Sequence, residues 1–287
     1  MTKTFLLSLF TLLIGACGLP AQNFTPEDIK NFKTKELVYK QIDTTQLKLS
    51  IVYPHDLKSG DKRPAIVFFY GGGWNQGSLS QFLTHSLELA HRGMIAIMAD
   101  YRVKKRHHTT PKECVSDARS AMRYVRAHAK ELGINPEMIA AAGGSAGGHL
   151  AAATAVIDAF DDKKDDKSVD PSPNALILFN PVLDNGPDGG WAYDRVKDYY
   201  QQISPAHNIK PNLPPTLFMV GTIDKLIPVA TAIRYQENMK KAGNKCDLYL
   251  YASQGHSFFN YKNGDNPYYY RTLDAMIAFL RSLNFIQ

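Results

Sequence analysis

The sequence predicts an α/β domain with a mostly parallel sheet, and three observations lead to this prediction. Continuous apolar runs at residues 65–69 and 94–99 are typical of parallel strands covered on both faces. Helical patterns, beginning at residues 111–132, alternate with such runs along the chain. The 287 residues, 44% hydrophobic and 21% charged, have an ordinary composition for a globular protein. This alternation places helices on both faces of one sheet.

The other elements follow from the same patterns. Residues 36–53 alternate between apolar and polar side chains as two antiparallel strands would, and Pro54 ends them. Further strands are predicted at residues 138–142, 175–179, 215–220 and 248–251, and further helices at 146–160, 228–242 and 267–283. The mixed-charge loop 161–167 is expected to be solvated. The long loop 184–212 is expected to overhang the carboxyl edge of the sheet, where ligands bind in such folds.

Residues 1–21 are predicted to be an export signal, and residues 22–287 a single domain. Lys3 precedes an apolar run that is too short to span a bilayer, and small residues follow it. Cleavage after Ala21 is favoured slightly over a lipobox that would leave a lipidated Cys17, and an uncleaved anchor is a third alternative. The protein is therefore expected in the periplasm or outside the cell, and at a membrane only if Cys17 is lipidated.

Charge and cysteine content argue against several classes of protein. The formal net charge is +6, and the basic run from Lys104 to Arg106 is expected to be a solvated loop, so nucleic-acid binding is not expected. Cys114 and Cys246 lie in no reactive motif, and their spacing alone indicates no disulfide. No metal-ligand spacing of cysteine or histidine occurs, so neither a metal nor a cofactor is expected. Nothing in the sequence indicates the oligomeric state.

The motif at residues 143–147, Gly-Gly-Ser-Ala-Gly, indicates a nucleophilic serine. It matches G-x-S-x-G and falls between a predicted strand and a predicted helix, the context in which this motif forms a sharp turn. Glycines around Ser145 let the strand and helix approach closely, and the helix N-terminus adds positive potential beside the hydroxyl. We therefore predict Ser145 as a nucleophile.

A serine hydroxyl needs a base, and the order serine, acid, histidine selects His256 and Asp224. Each follows a predicted strand, so both are expected at the carboxyl edge with Ser145. Asp184 and Asp188 on the long loop are rival acids. His149, one turn into the helix after Ser145, is expected to pack beneath the turn.

Three glycines after the strand at residues 65–69 are predicted to bind a developing oxyanion. Backbone N–H groups of Gly72 and Gly73, with that of Ala146 after the nucleophile, are the expected donors. Two tryptophans near this loop, Trp74 and Trp191, offer flat faces on which a sugar ring could stack, although packing is an equally good interpretation.

With these motifs, the sequence resembles the hormone-sensitive-lipase-like and acetyl-esterase branch of the α/β-hydrolases. It is most similar to secreted bacterial esterases that remove acetyl or feruloyl groups from xylan. The resemblance runs from about residue 65 to the C-terminus and rests on the triglycine loop, Asp100-Tyr101-Arg102, the GGSAGGHL motif, Asp224 with Pro228, and Gly255-His256. The family usually has histidine at the position of Tyr70, where it orders the loop.

The resemblance implies an α/β-hydrolase fold and hydrolysis of short acyl esters, acetyl above all, of a carbohydrate or small molecule. Only residues 22–35 precede the first predicted strand, so the cap is minimal and the site open. The alternatives are a lipase-like esterase, an arylformamidase or peptidase of the same fold, and a non-catalytic binding protein.

Overall fold

The structure, a computed structural model, describes residues 22–287, so the predicted export signal lies outside the described residues. Eight strands form one sheet in the order β1-β2-β4-β3-β5-β6-β7-β8. The first strand pairs antiparallel with the second, and the second pairs antiparallel with the fourth. The remaining six strands run parallel to one another. The strands are β1 Lys33–Ile42, β2 Thr45–Tyr53, β3 Arg63–Phe69, β4 Ile95–Ala99, β5 Ile134–Gly144, β6 Ala175–Phe179, β7 Thr216–Gly221 and β8 Cys246–Tyr251. The mostly parallel sheet predicted from the apolar runs is thus confirmed.

Helices cover both faces of this sheet. They are α1 Leu83–His91, α2 Lys104–His107, α3 Pro111–Ala127, α4 Ala129–Leu132, α5 Ala146–Val156, α6 Tyr193–Val196, α7 Tyr200–Ile203, α8 Val229–Lys241 and α9 Pro267–Ser282. Short 3₁₀ helices span Pro26–Asn31, Leu79–Phe82, Pro205–His207 and Lys262–Gly264. Apolar side chains of α3, α5 and α8 pack on one face, and those of α1 and α9 on the other.

Two helices are shorter than the sequence suggests. The helix predicted at residues 111–132 breaks at His128, whose ring stacks on Tyr124 with centroids 4.0 Å apart and whose backbone leaves the helical region. The helix after the serine ends at Val156 rather than near residue 160, because the chain is already extended at Ile157. Neither difference moves the carboxyl edge of the sheet.

Helices that could cross a membrane and groups of possible metal ligands were sought among the described residues. None of its helices combines the length and apolar character needed to cross a bilayer. Across residues 22–287, no group of three or more histidine, cysteine or acidic side chains is placed to hold a metal ion. Cys114 and Cys246 are buried thiols rather than a disulfide.

The mixed-charge loop 161–167 is solvated as expected only in part: residues 163, 164, 166 and 167 are exposed, whereas Asp161 and Asp165 pair with cations of helix α3. Asp161 forms ion pairs with both Arg119 and Arg123, the latter at 2.7 Å. Burial alone would raise the pKa of Asp161, but the two guanidinium groups outweigh it and lower that pKa to about 2. The loop therefore fastens α3, which packs against the helix that follows Ser145.

We predict that Asp161→Asn destabilises the fold in a pH-dependent manner. The pKa of Asp161 in the folded chain, about 2, lies below its ordinary value of 3.8, so its contribution is present above about pH 4 and disappears as the pH falls towards 2. After allowance for solvent screening, the loss at neutral pH should be about 1–2 kcal/mol in the free energy of unfolding. Urea titrations followed by circular dichroism at several pH values measure it.

The control is Asp158→Asn, which removes an exposed pair. Asp158 lies 2.8 Å from Lys210, but its side chain is 81% exposed. Its substitution should therefore change the free energy of unfolding by less than about 0.5 kcal/mol. Equal losses in the two variants, or a loss in Asp161→Asn that persists at the lowest pH, would contradict the assignment.

Candidate active site

Ser145 lies between β5 and α5 in a strained backbone conformation. Its φ of 55° and ψ of −120° fall where non-glycine residues rarely occur, at a cost of about 1–3 kcal/mol. A Cβ on Gly147 would lie 2.0 Å from the carbonyl oxygen of Phe69, and one on Gly143 would lie 2.3 Å from that of Gly147. Glycine at both positions therefore lets β3, β5 and α5 meet closely enough to make the turn.

The Ser145 hydroxyl begins a hydrogen-bonded row that continues through His256 to Asp224. Ser145 Oγ lies 2.8 Å from His256 Nε2, and His256 Nδ1 lies 2.8 Å from Asp224 Oδ2. These residues follow β5, β8 and β7, whose carboxyl ends meet at one edge of the sheet. With Nδ1 donating to the carboxylate, a neutral ring presents its Nε2 lone pair to the serine hydroxyl. The structure thus brings together the three residues selected from the sequence.

The Asp224 carboxylate is fixed by hydrogen bonds on both oxygens. Besides His256 on Oδ2, the backbone N–H groups of Leu226 and Ile227 donate to Oδ1 at 2.8 and 3.0 Å. Burial would raise the pKa of Asp224, but these hydrogen bonds outweigh it and hold the pKa below its usual value. The carboxylate therefore stays ionised and orients the imidazole.

The rival acids occupy other positions. Asp184 forms an ion pair with Arg234 at 2.7 Å and accepts a hydrogen bond from the backbone N–H of Gly186. Asp188 is exposed on the same loop. His149 is buried beneath the turn as expected: its Nε2 donates to the carbonyl oxygen of Ile203 at 2.9 Å, and burial lowers its pKa to about 4. It is therefore a neutral packing residue.

The glycine loop, residues 71–73, lies against the serine. A Cβ on Gly71 would be 3.4 Å from that of Ser145, and the Gly71 N–H is already donated to Gln81 Oε1 at 2.7 Å. The N–H groups of Gly72, Gly73 and Ala146 donate to no acceptor within residues 22–287. Ala146 also opens α5, where unpaired N–H groups carry the positive end of the helix dipole. The three donors predicted from the sequence thus remain available to a ligand oxygen.

Tyr70 anchors the glycine loop to the end of β4. Its hydroxyl donates to Asp100 Oδ1 at 2.6 Å and accepts from Arg106 Nη2 at 2.6 Å, and its ring stacks on Tyr101. Burial, together with the charge of Asp100, raises the pKa of Tyr70 far above its ordinary value. Tyr70 therefore remains a neutral hydrogen-bonding residue that orders the loop where the family usually has histidine.

Of the two interpretations of Trp74, the structure favours packing over an exposed face for a sugar ring. A φ of 57° turns the residue inward, and its ring is 2% exposed, packed between His149 and Trp191. Trp191 is half-buried and lies over the glycine loop: its Cη2 atom stands 3.3 Å from the position of a Cβ on Gly73. Trp191 therefore stays a candidate substrate contact, whereas Trp74 supports it from below.

Asn180 is a residue of the site that the sequence did not reveal. It follows β6 with a φ of 35°, is fully buried, and accepts a hydrogen bond on Oδ1 from the backbone N–H of Ser257 at 3.0 Å. Its Nδ2 lies 3.4 Å from His256 Nε2. Asn180 thus holds the segment that carries the histidine. No motif contains it, and only its place at a strand end could have drawn attention to it.

Comparison with known proteins agrees with this geometry. A model of the BD-FAE family matches residues 49–186, and one of the prolyl oligopeptidase family matches residues 175–281. The thermophilic esterase Est2 of Thermogutta terrifontis, in its propionate-bound structure, is 43% identical, with a TM-score of 0.84 over 88% of this chain and 95% of that one. The chain belongs to the esterases of the α/β-hydrolase fold. The same esterase phosphorylated by paraoxon gives a TM-score of 0.83 over 90% of this chain and 96% of that one, at 43% identity.

Curated members of the esterase family match over a smaller share of their length. An acetylxylan esterase of Xylanibacter ruminicola is 30% identical over 68% of this chain and 41% of its own length. The carboxylesterase NlhH of Mycobacterium tuberculosis is 31% identical over 42% of this chain and 37% of its own length. The alignments therefore span about two fifths of these curated relatives.

We predict that Asn180→Ala slows turnover without weakening substrate binding. Loss of the acceptor for the Ser257 N–H loosens the histidine, and a displaced base should lower kcat by on the order of 10- to 100-fold while KM changes little. Asn180→Asp keeps an oxygen that accepts from the Ser257 N–H but removes the Nδ2 group. It therefore separates the role of the Oδ1 acceptor from that of Nδ2. Steady-state kinetics on p-nitrophenyl acetate give both constants, and an unchanged kcat in Asn180→Ala would exclude a positioning role.

Proposed function

We propose that this protein is a serine ester hydrolase that removes short acyl groups, acetyl above all, from a hydroxyl-rich alcohol such as a carbohydrate. The observation that carries the proposal is the row of two 2.8 Å hydrogen bonds from Ser145 through His256 to Asp224, beside three unpaired backbone N–H groups. Such an arrangement suits acyl transfer through a covalent intermediate. Membership of the esterase family supports the same chemistry.

In the first half of the proposed reaction, Ser145 Oγ attacks the acyl carbon while His256 Nε2 takes its proton. The carbonyl oxygen becomes an oxyanion, which the N–H groups of Gly72, Gly73 and Ala146 stabilise. Each such donor typically contributes about 3 kcal/mol to the transition state. The bond between the acyl carbon and the alcohol oxygen then breaks, and His256 gives its proton to that oxygen.

The second half repeats these steps with water. His256 Nε2 accepts a proton from a water molecule that attacks the acyl-enzyme, and then returns a proton to Ser145 Oγ as the carboxylic acid leaves. The Asp224 carboxylate stabilises the imidazolium formed in each half. These residues complete the cycle with water as the only co-reactant.

A polar cavity beside the site supports a hydroxylated leaving group. This cavity of about 790 Å³ borders Gly71, Gly72 and Ser257, next to the base that would protonate the leaving oxygen. Hydroxyl and amide side chains are the most numerous in its wall, and Lys262 adds a cation: the neutral ones are Gln76, Ser78, Ser80, Gln81, Thr84, Asn260 and Tyr261. A sugar buried against apolar walls would leave its hydroxyls unpaired, whereas these side chains can pair with them. The cavity therefore favours a polyhydroxylated alcohol over a hydrocarbon one.

The position of Trp191 supports a short acyl group. Its ring lies against Gly73 and packs on Trp74, so it limits the space on one side of the glycine loop. Binding of an acyl chain in an apolar pocket is strengthened by about 0.8 kcal/mol for each methylene that the pocket buries. Methylenes beyond the end of the pocket add nothing. A pocket that ends at the Trp191 ring accommodates acetyl to butyryl groups and gives longer chains no further stabilisation.

We predict that Ser145→Ala abolishes esterase activity without unfolding the protein. Loss of a triad nucleophile should lower kcat on p-nitrophenyl acetate by about 10⁴-fold or more. The control is Ser59→Ala at an exposed turn, which should retain full activity. Circular dichroism verifies the fold of both variants, and activity of Ser145→Ala within tenfold of the native protein would refute the proposal.

We predict that the activity profile peaks at short acyl groups. The kcat/KM values on p-nitrophenyl esters should be highest from acetyl to butyryl and collapse by octanoyl, and acetylated xylan or another acetylated polysaccharide should release acetate. A steady rise towards long chains with no acetate release would indicate a lipase-like esterase. Faster cleavage of peptide p-nitroanilides than of esters would indicate a peptidase with the same residues.

A further inference from the structure

A second cavity borders the glycine loop and is separate from the polar cavity. It encloses about 430 Å³ and is lined by Gly73, Trp74, Asn75, Lys104, His108, Thr109, Thr110, Pro111 and Arg195. Sites for small organic ligands usually enclose about 300–1,000 Å³, so this cavity is large enough for a ring and not only for an ion. A group bound there would adjoin a predicted oxyanion donor.

The cavity carries positive charge that no carboxylate in its wall offsets. Lys104 Nζ takes part in no hydrogen bond or ion pair within residues 22–287. Arg195 donates to the carbonyl oxygen of Gly73 at 2.8 Å and lies over the ring of Trp191, but forms no ion pair in the described part of the chain. Two cationic side chains therefore line this cavity, and both have N–H groups available to a further acceptor.

The wall also includes the beginning of helix α3. Thr110 and Pro111 begin α3, a helix of 17 residues, so the positive end of its dipole borders the cavity. Glu113 caps this helix through Thr110 and offsets part of that potential. Thr109 also belongs to the wall, but its hydroxyl oxygen is buried and is not accessible from the cavity.

We propose that this cavity binds a carboxylate carried by the substrate, so that the enzyme prefers acidic esters to neutral ones. The chemistry fits two sources: a uronic acid in the alcohol half, or a dicarboxylic acid as the acyl half. The role as a substrate subsite rests on the proposed function, whereas binding of a carboxylate does not. The two are therefore tested separately.

The binding test uses the Ser145→Ala protein, which cannot turn over an ester. Calorimetric titration should detect glucuronate or succinate, whereas glucose should give no heat of binding. Lys104→Gln in that background should weaken carboxylate binding by about tenfold or more, because it removes a charged partner. Lys105→Gln is the matched control: it removes the same charge from the next residue of α2, which does not line the cavity. Equal effects of the two substitutions, or tighter binding of inorganic phosphate than of either acid, would overturn the proposal.

The catalytic test compares matched pairs of substrates on the native enzyme. One pair is an acetylated methyl glucuronoside and its glucoside, and the other is mono-p-nitrophenyl succinate and p-nitrophenyl butyrate. Lys104→Gln should reduce the ratio of kcat/KM for the acidic over the neutral member of one pair by about tenfold, and Lys105→Gln should leave that ratio unchanged. The affected pair identifies the source of the carboxylate.

If Lys104→Gln changes the ratio of kcat/KM for neither pair, the role as a substrate subsite is overturned even where calorimetry detects carboxylate binding. If no ester is hydrolysed at all, the proposed function fails, and the calorimetric result alone decides whether the cavity is a carboxylate site.

Discussion

The close approach of β3, β5 and α5 around Ser145 is the constraint on which the other features of the site depend. A turn with a φ of 55° at a serine persists only because Gly143 and Gly147 leave no side chain between the backbones. That packing places the hydroxyl at the carboxyl edge, sets the N-terminus of α5 beside it, and brings the end of β3 close enough for the glycine loop to reach the serine. The loops after β7 and β8 then need only supply an acid and a histidine at the same edge.

Around this turn, Asp224 and Tyr70 have fixed hydrogen-bond partners. Asp224 is held by His256 and by two backbone donors, and Tyr70 is held between Asp100 and Arg106. Hydrogen-bonded groups of this kind need little rearrangement when charge develops during a reaction, which is the condition for electrostatic stabilisation. The two cavities that border the glycine loop differ in charge: one is lined mainly by neutral polar side chains together with Lys262, and the other by Lys104 and Arg195, which form no ion pair within residues 22–287.

The sequence predicted the sheet and the row of three residues because both depend on local patterns. Apolar runs identify buried strands, and a serine turn, an acid and a histidine each stand directly after one. Whether Trp74 is exposed or packed could not be decided from sequence. Its direction depends on a positive φ, which no sequence pattern around it indicates. Asn180 belongs to no motif, and its contact with Ser257 joins residues that are far apart in the chain. The loop 161–167 is exposed in part, as its mixed charge indicates, but the ion pairs of Asp161 could not be predicted because they join the loop to arginines about 40 residues earlier in the chain.

The contact between Gly73 and Trp191 also has an evolutionary consequence. Any side chain at residue 73 would have to adopt a φ of 65° and would meet the indole at 3.3 Å. The two positions are therefore expected to change together: a lineage that replaces the indole with a smaller side chain gains space above the loop, and with it access for larger acyl groups. A single substitution at residue 191 is thus a short route by which descendants of this enzyme could acquire new substrates while Ser145, His256 and Asp224 stay the same.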